Sequence, residues 1–512
     1  MKIAWSAHLA TLADRYRDRV AVSDGEGASM SYAQLHRSAQ ALAAHLLARG
    51  VTPGEPVASL MPNRIEAVWV AYALKMAGVA ETPLGWGLTD DEVAWCARLA
   101  GFRKVVTLPV RASAMQSLGF ETIDPLPDAN CDHAPVGSPL PPVDGSLDGR
   151  ILFTSGTTGK PKGVVYTHEA RRIGEQMQQA AWPIMPQAGD RLLLMTPFVH
   201  GASLLAFGWL DHGGEVLLHA GIDLPALGAE FESATLSAVF APPTVLARIT
   251  AGFEGRRFGG VRCIFTGTQP LAESLYRRAQ AMFGPVVRVT YGKSECINPI
   301  TMLAPDETEE WFDETDRAAG ACVGWPAPGV ELHIGPPAGA VGEPDEIWLR
   351  APQMSKGLIL PEHGFTAHEP EGWHASGDLG FIDSRGRLML TGRIADVIKT
   401  GGYRVNPDEI ESMLGALLTA DGVCITSIAS DHWGEVIVAV AEGAREGWID
   451  EATARVQGLS RHKHPRLWVS LAALPRNAQG KVSRREAARA VLDAFELIDG
   501  RYPQLERKQA ID

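Results

Sequence analysis

Long apolar runs are missing from this 512-residue chain, and no stretch approaches the roughly 20 apolar residues that a membrane-spanning helix needs. Met1 to Ala10 holds one lysine and no extended apolar core, so a secretory leader is not expected there. Cysteine is scarce. Cys96, Cys131, Cys263, Cys296, Cys322 and Cys424 form no CxxC pair, which argues against both a disulfide framework and a zinc site and points to a reducing, cytoplasmic setting. His462 and His464 are close but lack further residues at metal-ligand spacing. Positive charge is in deficit: 47 Lys and Arg face 60 Asp and Glu, for a net charge of -13. That balance argues against nucleic acid or an anionic membrane as main partner, yet leaves room for a local basic site that binds a small anion. Repeats and low-complexity tails are also absent. What remains is a composition ordinary for a soluble globular protein, long enough for roughly two to four domains or subdomains.

The chain alternates helical and strand patterns. Leu35, Ala39, Leu42 and Leu46 recur at helical spacing, with Gly50 as a stop. Residues 57–60 read as a buried strand and residues 64–76 as the next helix, ending at Gly78. Such alternation predicts an α/β architecture with largely parallel sheets. Residues 124–148 hold six prolines and read as a surface connection between two subdomains. From 320 to 390, closely spaced Gly and Pro predict a small, mostly β unit. After residue 393 an α+β pattern follows, with a helix near 407–417, strands near 423–428 and 436–440, and a final helix after Val482.

The densest chemical signal is Thr154-Ser155-Gly156-Thr157-Thr158-Gly159-Lys160-Pro161-Lys162-Gly163, directly after the apolar run Ile151-Leu152-Phe153. Small residues let backbone N–H groups approach an anion, the hydroxyls add donors, and Lys160 adds charge. A Walker loop would need Gly at 154 and Ser or Thr after the lysine, whereas Thr154 and Pro161 stand there.

The decapeptide resembles the signature loop of the adenylate-forming superfamily, which includes acyl-CoA synthetases, the adenylation domains of peptide synthetases and firefly luciferase. Further motifs match in order over nearly the whole chain. Tyr291-Gly292-Lys293-Ser294-Glu295 resembles the family's aromatic-Gly-x-Thr-Glu motif. There Tyr291 would face adenine, Ser294 the α-phosphate, and Glu295 would ligate Mg²⁺. Asp378, in Gly372-Trp373-His374-Ala375-Ser376-Gly377-Asp378, would bind ribose, with Arg393 contacting ribose or phosphate. Gly267-Thr268-Gln269 resembles an adenine-contacting segment. Lys399 to Pro407 resembles the first loop of the C-terminal domain, in which Gly402 would let a pantetheine arm pass, with Lys399 beside it as a catalytic candidate. Lys481 occupies the position of the lysine that reaches the carboxylate and α-phosphate during adenylation. His200 resembles the residue that gates the acid pocket. Ser203, Pro243, Gly267, Lys293, Cys296 and Asn298 would complete that pocket.

The resemblance implies a large N-terminal domain of stacked α/β subdomains at 1–392, with a small β subdomain at about 320–392. A hinge at 393–396 and a small mobile α+β domain at 397–512 would follow. It implies ATP and Mg²⁺ as cofactors and adenylation of a small-molecule acid, followed by transfer to CoA. The alternative acceptors are a carrier protein, an amine, or, as in ATP-dependent diazotases, an arylamine attacking activated nitrite. Two positions depart from the family. Ala395 stands at the pivot, where Asp or Lys is usual, with Asp396 next. Lys293 stands where an apolar residue is common, and needs either a structural carboxylate partner or an anionic part of the substrate.

Overall fold

The computed structural model describes the chain apart from residues 126–138, 156–160, 200, 319, 337–343, 369–371, 416, 477–480 and 509–512. Two large sheets and one small one organise it. The eight-stranded sheet runs in the order Gly364–Ala367, Gly357–Leu360, Pro161–Thr167, Asp148–Ser155, Ala80–Gly85, Pro56–Met61, Lys104–Thr107, Glu121–Ile123. Its last four strands are parallel, as the helix–strand alternation predicts. The helix Ile65–Met76 is buried around its whole circumference, which its nearly continuous apolar sequence requires.

The second sheet has thirteen strands. Its parallel part includes Arg191–Leu194, Leu236–Phe240, Cys263–Gly267 and Val287–Lys293. It continues through antiparallel Cys296–Leu303 and Ala321–Pro326 into Leu388–Arg393, His374–Ile382, Asp345–Arg350 and Glu331–Ile334. The strands expected at 320–390 therefore extend this sheet, except Gly357–Leu360 and Gly364–Ala367, which cross to the edge of the eight-stranded sheet. One segment thus ties both sheets together, and Lys356 N–H donating to Val165 O marks the crossing.

Most of the proline-rich run from 124 to 148, expected as a connection between subdomains, lies outside the described residues. Its flanking strands, Glu121–Ile123 and Asp148–Ser155, belong to the same sheet, and Val143–Asp144 within it pairs with Lys2–Ile3. Prolines announce a break in regular structure but carry no information about which strands flank it.

The C-terminal segment folds around Gly422–Ser430, Gly434–Glu442 and Leu467–Leu471, with the hairpin Ile398–Thr400 and Tyr403–Val405 at one edge. The helix expected to reach 417 ends at Leu414, because Gly415 takes a left-handed φ of 55° and stops it. A short hairpin, Phe495–Ile498 with Gln504–Arg507, follows the final helix Arg484–Ala494. Four-residue strands are too short to stand out by periodicity. Among the described residues, no helix is long and apolar enough to cross a membrane.

Candidate active site

The strands on either side of residues 156–160 pair antiparallel, with Lys162 opposite Thr154 and Pro161 opposite Ser155. Gly156, Thr157, Thr158, Gly159 and Lys160 lie outside the described residues. At the near end, the shielded hydroxyl oxygen of Thr154 has no hydrogen-bond partner among the described residues. Lys162 projects to Glu295 and forms a 2.6 Å ion pair with its Oε1.

Glu295 follows the strand Val287–Lys293 at a tight turn that re-enters the sheet at Cys296. The turn is held on both sides. Tyr166 donates its hydroxyl to Ser294 O at 2.5 Å, and Ser355 N–H donates to Glu295 O at 2.8 Å. Gly292 is required by contact: a Cβ there would lie 2.4 Å from Asn298 Oδ1. Burial would raise the Glu295 carboxyl, but the charges of Lys293 and Lys162 outweigh it and hold the group at about 2. An ionised, nearly buried carboxylate is therefore available at neutral pH.

Asp378 is the second anchor. It sits opposite Arg393 in the antiparallel pairing of His374–Ile382 with Leu388–Arg393. Arg393 Nε lies 3.0 Å from Oδ1, while Tyr291 donates its hydroxyl to Oδ2 at 2.6 Å and Lys293 Nζ lies 3.2 Å from the same oxygen. Lys293 also donates to Ser376 O at 2.6 Å. Its partly buried ammonium thus has a structural carboxylate partner, one of the two alternatives open for this position. Tyr291 likewise engages through its hydroxyl, and burial against Asp378 raises its pKa well above the usual value, so it stays protonated.

Lys481 reaches this same group from the C-terminal segment. An antiparallel bridge between Arg476 and Val482 closes its loop, and Ser483 caps the helix Arg484–Ala494. Burial, with Arg393 next in size, pulls the Lys481 ammonium down to about 8; Asp378 opposes that shift and Lys293 adds to it. Arg484 anchors the end of the loop. It pairs with Asp396 beside Ala395 at 2.7 Å and with Asp408 and Glu411 at 2.5 Å each. One guanidinium thereby joins the segment at 394–396 to the lysine loop.

The other expected residues take distinct places. Gly267 ends the strand Cys263–Gly267, where a Cβ would lie 2.6 Å from Thr290 O, and Thr268 next to it holds a strained φ of 73°. Gln269 follows, partly buried. Ser203 is fully buried, Pro243 opens the helix Pro243–Gly252, and Cys296 is buried beside the turn. Asn298 accepts from the Thr290 hydroxyl at 3.1 Å. His200 and the Ser155 side chain lie outside the described parts. Lys399 and Gly402 are exposed and belong to the hairpin of Ile398–Thr400 and Tyr403–Val405 rather than to the Asp378 cluster. Sequence reading did not single out His374 and His368, whose rings lie 4.7 Å apart, or Ser355, 2.6 Å from His368 Nε2. Both histidines are held neutral by burial, His374 at about 4.

The donor set suits Mg²⁺ in one respect. Glu295 offers hard, ionised oxygen, and the described residues contain no cluster of three or more His, Cys, Asp or Glu able to cage a metal. Mg²⁺ bound through one carboxylate, water and phosphate oxygens needs no such cage.

Comparison with known proteins follows the same lines. A family model described as AMP-binding enzyme matches residues 9–359. A 2-succinylbenzoate–CoA ligase of Geobacillus kaustophilus is 28% identical over 490 residues, covering 93% of this chain and 95% of that protein. A 4-chlorobenzoate–CoA ligase of an Arthrobacter species is 28% identical over 507 residues, covering 94% and 93%. The structure of ATP-bound MatB from Rhodopseudomonas palustris superposes with a TM-score of 0.82 at 25% identity, over 96% of this chain and 99% of that one. The o-succinylbenzoate CoA synthetase of Bacillus subtilis with its acyl-adenylate shares the fold, with a TM-score of 0.82 at 24% identity over 99% and 100%.

Proposed function

The chain belongs to the AMP-binding enzyme family, and on that premise we propose that it is an AMP-forming acid–thiol ligase. It adenylates a small organic acid with ATP and Mg²⁺, releases pyrophosphate, and passes the acyl group to CoA. The observation that carries this reading is the meeting of Lys481, Lys293, Arg393 and Tyr291 around Asp378, beside the Lys162–Glu295 pair. A ribose diol fits a carboxylate already fixed by three donors, and cations gathered nearby suit the phosphates. An acid oxygen attacks the α-phosphorus and the bond to the bridging oxygen of the leaving pyrophosphate breaks. Lys481 neutralises charge on the acid and α-phosphate, and Thr154 offers a hydroxyl. Mg²⁺, held by Glu295, would supply further charge neutralisation on phosphate oxygens. A thiolate then attacks the acyl carbonyl and AMP leaves.

The acceptor reading draws on the C-terminal segment. A cavity of about 360 Å³ is lined by Thr400, Gly401, Tyr403, Trp433, His462 and Arg466. The Arg466 guanidinium lies 3.8 Å above the Trp433 ring, and the Tyr403 and His462 rings stack at 4.2 Å. Aromatic faces with guanidinium charge suit the nucleotide end of CoA. Gly402, left-handed at φ 82° with open space where a Cβ would stand, suits passage of its arm. Domain rotation about 393–396 would exchange Lys481 for this loop. Five described cysteines are free and buried, in keeping with work in the cytoplasm.

The test is AMP formation over a panel of acids, aromatic ones first because the relatives named above act on such acids, with and without CoA. CoA-dependent AMP and an equal amount of acyl thioester are expected. AMP formation indifferent to CoA reassigns the acceptor to a carrier-protein thiol, an amine, or an arylamine with nitrite as the activated anion.

Lys293 gives a sharper check. Its ammonium is committed to Asp378 and Ser376 O. Lys293→Met is therefore expected to raise KM for ATP about tenfold, the worth of one charge-assisted hydrogen bond, and to leave the order of preferred acids unchanged. A rise confined to acidic substrates would assign the ammonium to the acid instead.

A further inference from the structure

Apolar packing fastens the hairpin of Phe495–Ile498 and Gln504–Arg507 to the C-terminal sheet. Phe495, Leu497 and Leu505 lie against the cluster that holds Ile428 and Val436, and Trp433 packs on the same cluster. The bend of the hairpin meets the turn that joins Gly422–Ser430 to Gly434–Glu442.

Asp499, in that bend, is exposed. Its Oδ1 accepts from the Ser430 hydroxyl at 2.6 Å. Its Oδ2 accepts from the Asp431 N–H at 2.6 Å and from the His432 N–H at 3.3 Å. The Ser430 hydroxyl foremost, with the backbone N–H groups, holds the carboxyl below its usual value, so it is ionised at neutral pH. Ser430 Oγ accepts in turn from the Trp433 N–H at 2.9 Å, and Gly500 O accepts from Trp433 Nε1 at 3.1 Å. The bend thus reaches both the backbone and the indole of Trp433.

Trp433 carries that order to the cavity beside Gly401. Its carbonyl accepts from the Gly401 N–H at 2.8 Å, and a Cβ on Gly401 would stand 3.1 Å from the indole ring. Arg466 lies 3.8 Å above the same ring, and both residues line the cavity. A planar base gains from an aromatic ring when the ring is already presented to it, because less ordering is left for the binding step.

We propose that Asp499 is a positioning residue for the second half-reaction: through the Ser430–Trp433 turn it sets the indole under Arg466, and so builds the platform for a nucleotide-bearing thiol. The inference rests on the ligase reading and deepens its acceptor half.

The experiment uses the full chain, a supplied acyl adenylate of the best acid, and two thiols, CoA and pantetheine, which lacks the nucleotide. In the wild type, KM for CoA should lie about tenfold or more below that for pantetheine, the weight of one base–aromatic stack. Asp499→Ala should raise KM for CoA about tenfold. It should change kcat and KM for pantetheine less than about threefold, and should leave acid-dependent pyrophosphate release intact, which also reports that the protein is folded. Asp499→Asn, which keeps one accepting oxygen for Ser430, should fall between. In a Trp433→Ala background, Asp499→Ala should add less than about twofold, since a residue acting through the indole has nothing left to act on. An unchanged KM for CoA in Asp499→Ala overturns the proposal. So does an equal rise for both thiols, which marks a general structural role, and so do independent effects of Asp499 and Trp433. A wild type that forms thioester with both thiols at equal KM overturns it without any variant. A wild type that forms thioester with neither thiol overturns the ligase reading itself and the proposal with it.

Discussion

Lys481→Ala is expected to slow acid-dependent pyrophosphate release by about 10²–10³-fold, the range seen when a single preorganised electrostatic donor is removed. Thioester formation from a supplied acyl adenylate should change little. The asymmetry follows from position. Lys481 rides on a loop closed by the Arg476–Val482 bridge and reaches the Asp378 cluster from a segment outside the two large sheets. A group delivered this way serves the step for which it is present. Equal loss in both half-reactions would sink the division of labour. The lysine also sets a pH limb. Burial lowers its pKa to about 8, so it is charged below that pH and neutral above. Hence kcat/KM for ATP should fall as pH rises through about 8. With ATP bound, phosphate charge favours the ammonium, so the limb in kcat should lie at higher pH. In Lys481→Ala the residual activity should lack this limb.

Asp378→Asn should be the second most damaging change. It leaves Lys293 and Arg393 without their carboxylate and weakens the bond to the Tyr291 hydroxyl. Breaking a buried ion pair from one side costs about 3–5 kcal/mol, and the 57% exposed Arg393 recovers part of its share from water, so a loss of about 2–3 kcal/mol is expected. ATP affinity measured by calorimetry should fall by about 100-fold, two charge-assisted contacts at about tenfold each. The double variant with Lys293→Met separates the two effects: stability should partly return, because no unpaired ammonium remains, while ATP binding should not. Normal ATP affinity in a destabilised Asp378→Asn protein would reduce Asp378 to a structural hub.

Much of the architecture was legible along the chain. The helix Ile65–Met76 and the strand Pro56–Met61 lie within a residue of their expected bounds, because apolar periodicity and glycine stops are local signals. The motifs around Thr154, Glu295, Asp378 and Lys481 were legible because each gathers glycines and polar residues into a few consecutive positions. The pairing was not. Lys162 reads as one more residue after a glycine-rich turn, yet the antiparallel register carries it to Glu295. Arg150 reads as the polar start of a strand, yet it lies buried beside Glu81, Arg171 and Glu175 from two other segments. Arg484 follows a serine at an ordinary helix start, yet it binds Asp396, 88 residues away.

By itself the sequence determined the order of strands and helices and which turns carry hydroxyls, carboxylates and lysines, since these depend on neighbours a few positions away. Only the tertiary structure decided who partners whom. Lys293 meets Asp378 from 85 residues away, so whether its ammonium serves the fold or the substrate was open until both ends were placed. Coulomb energy depends on distance through space and on burial, and neither can be read from spacing along the chain.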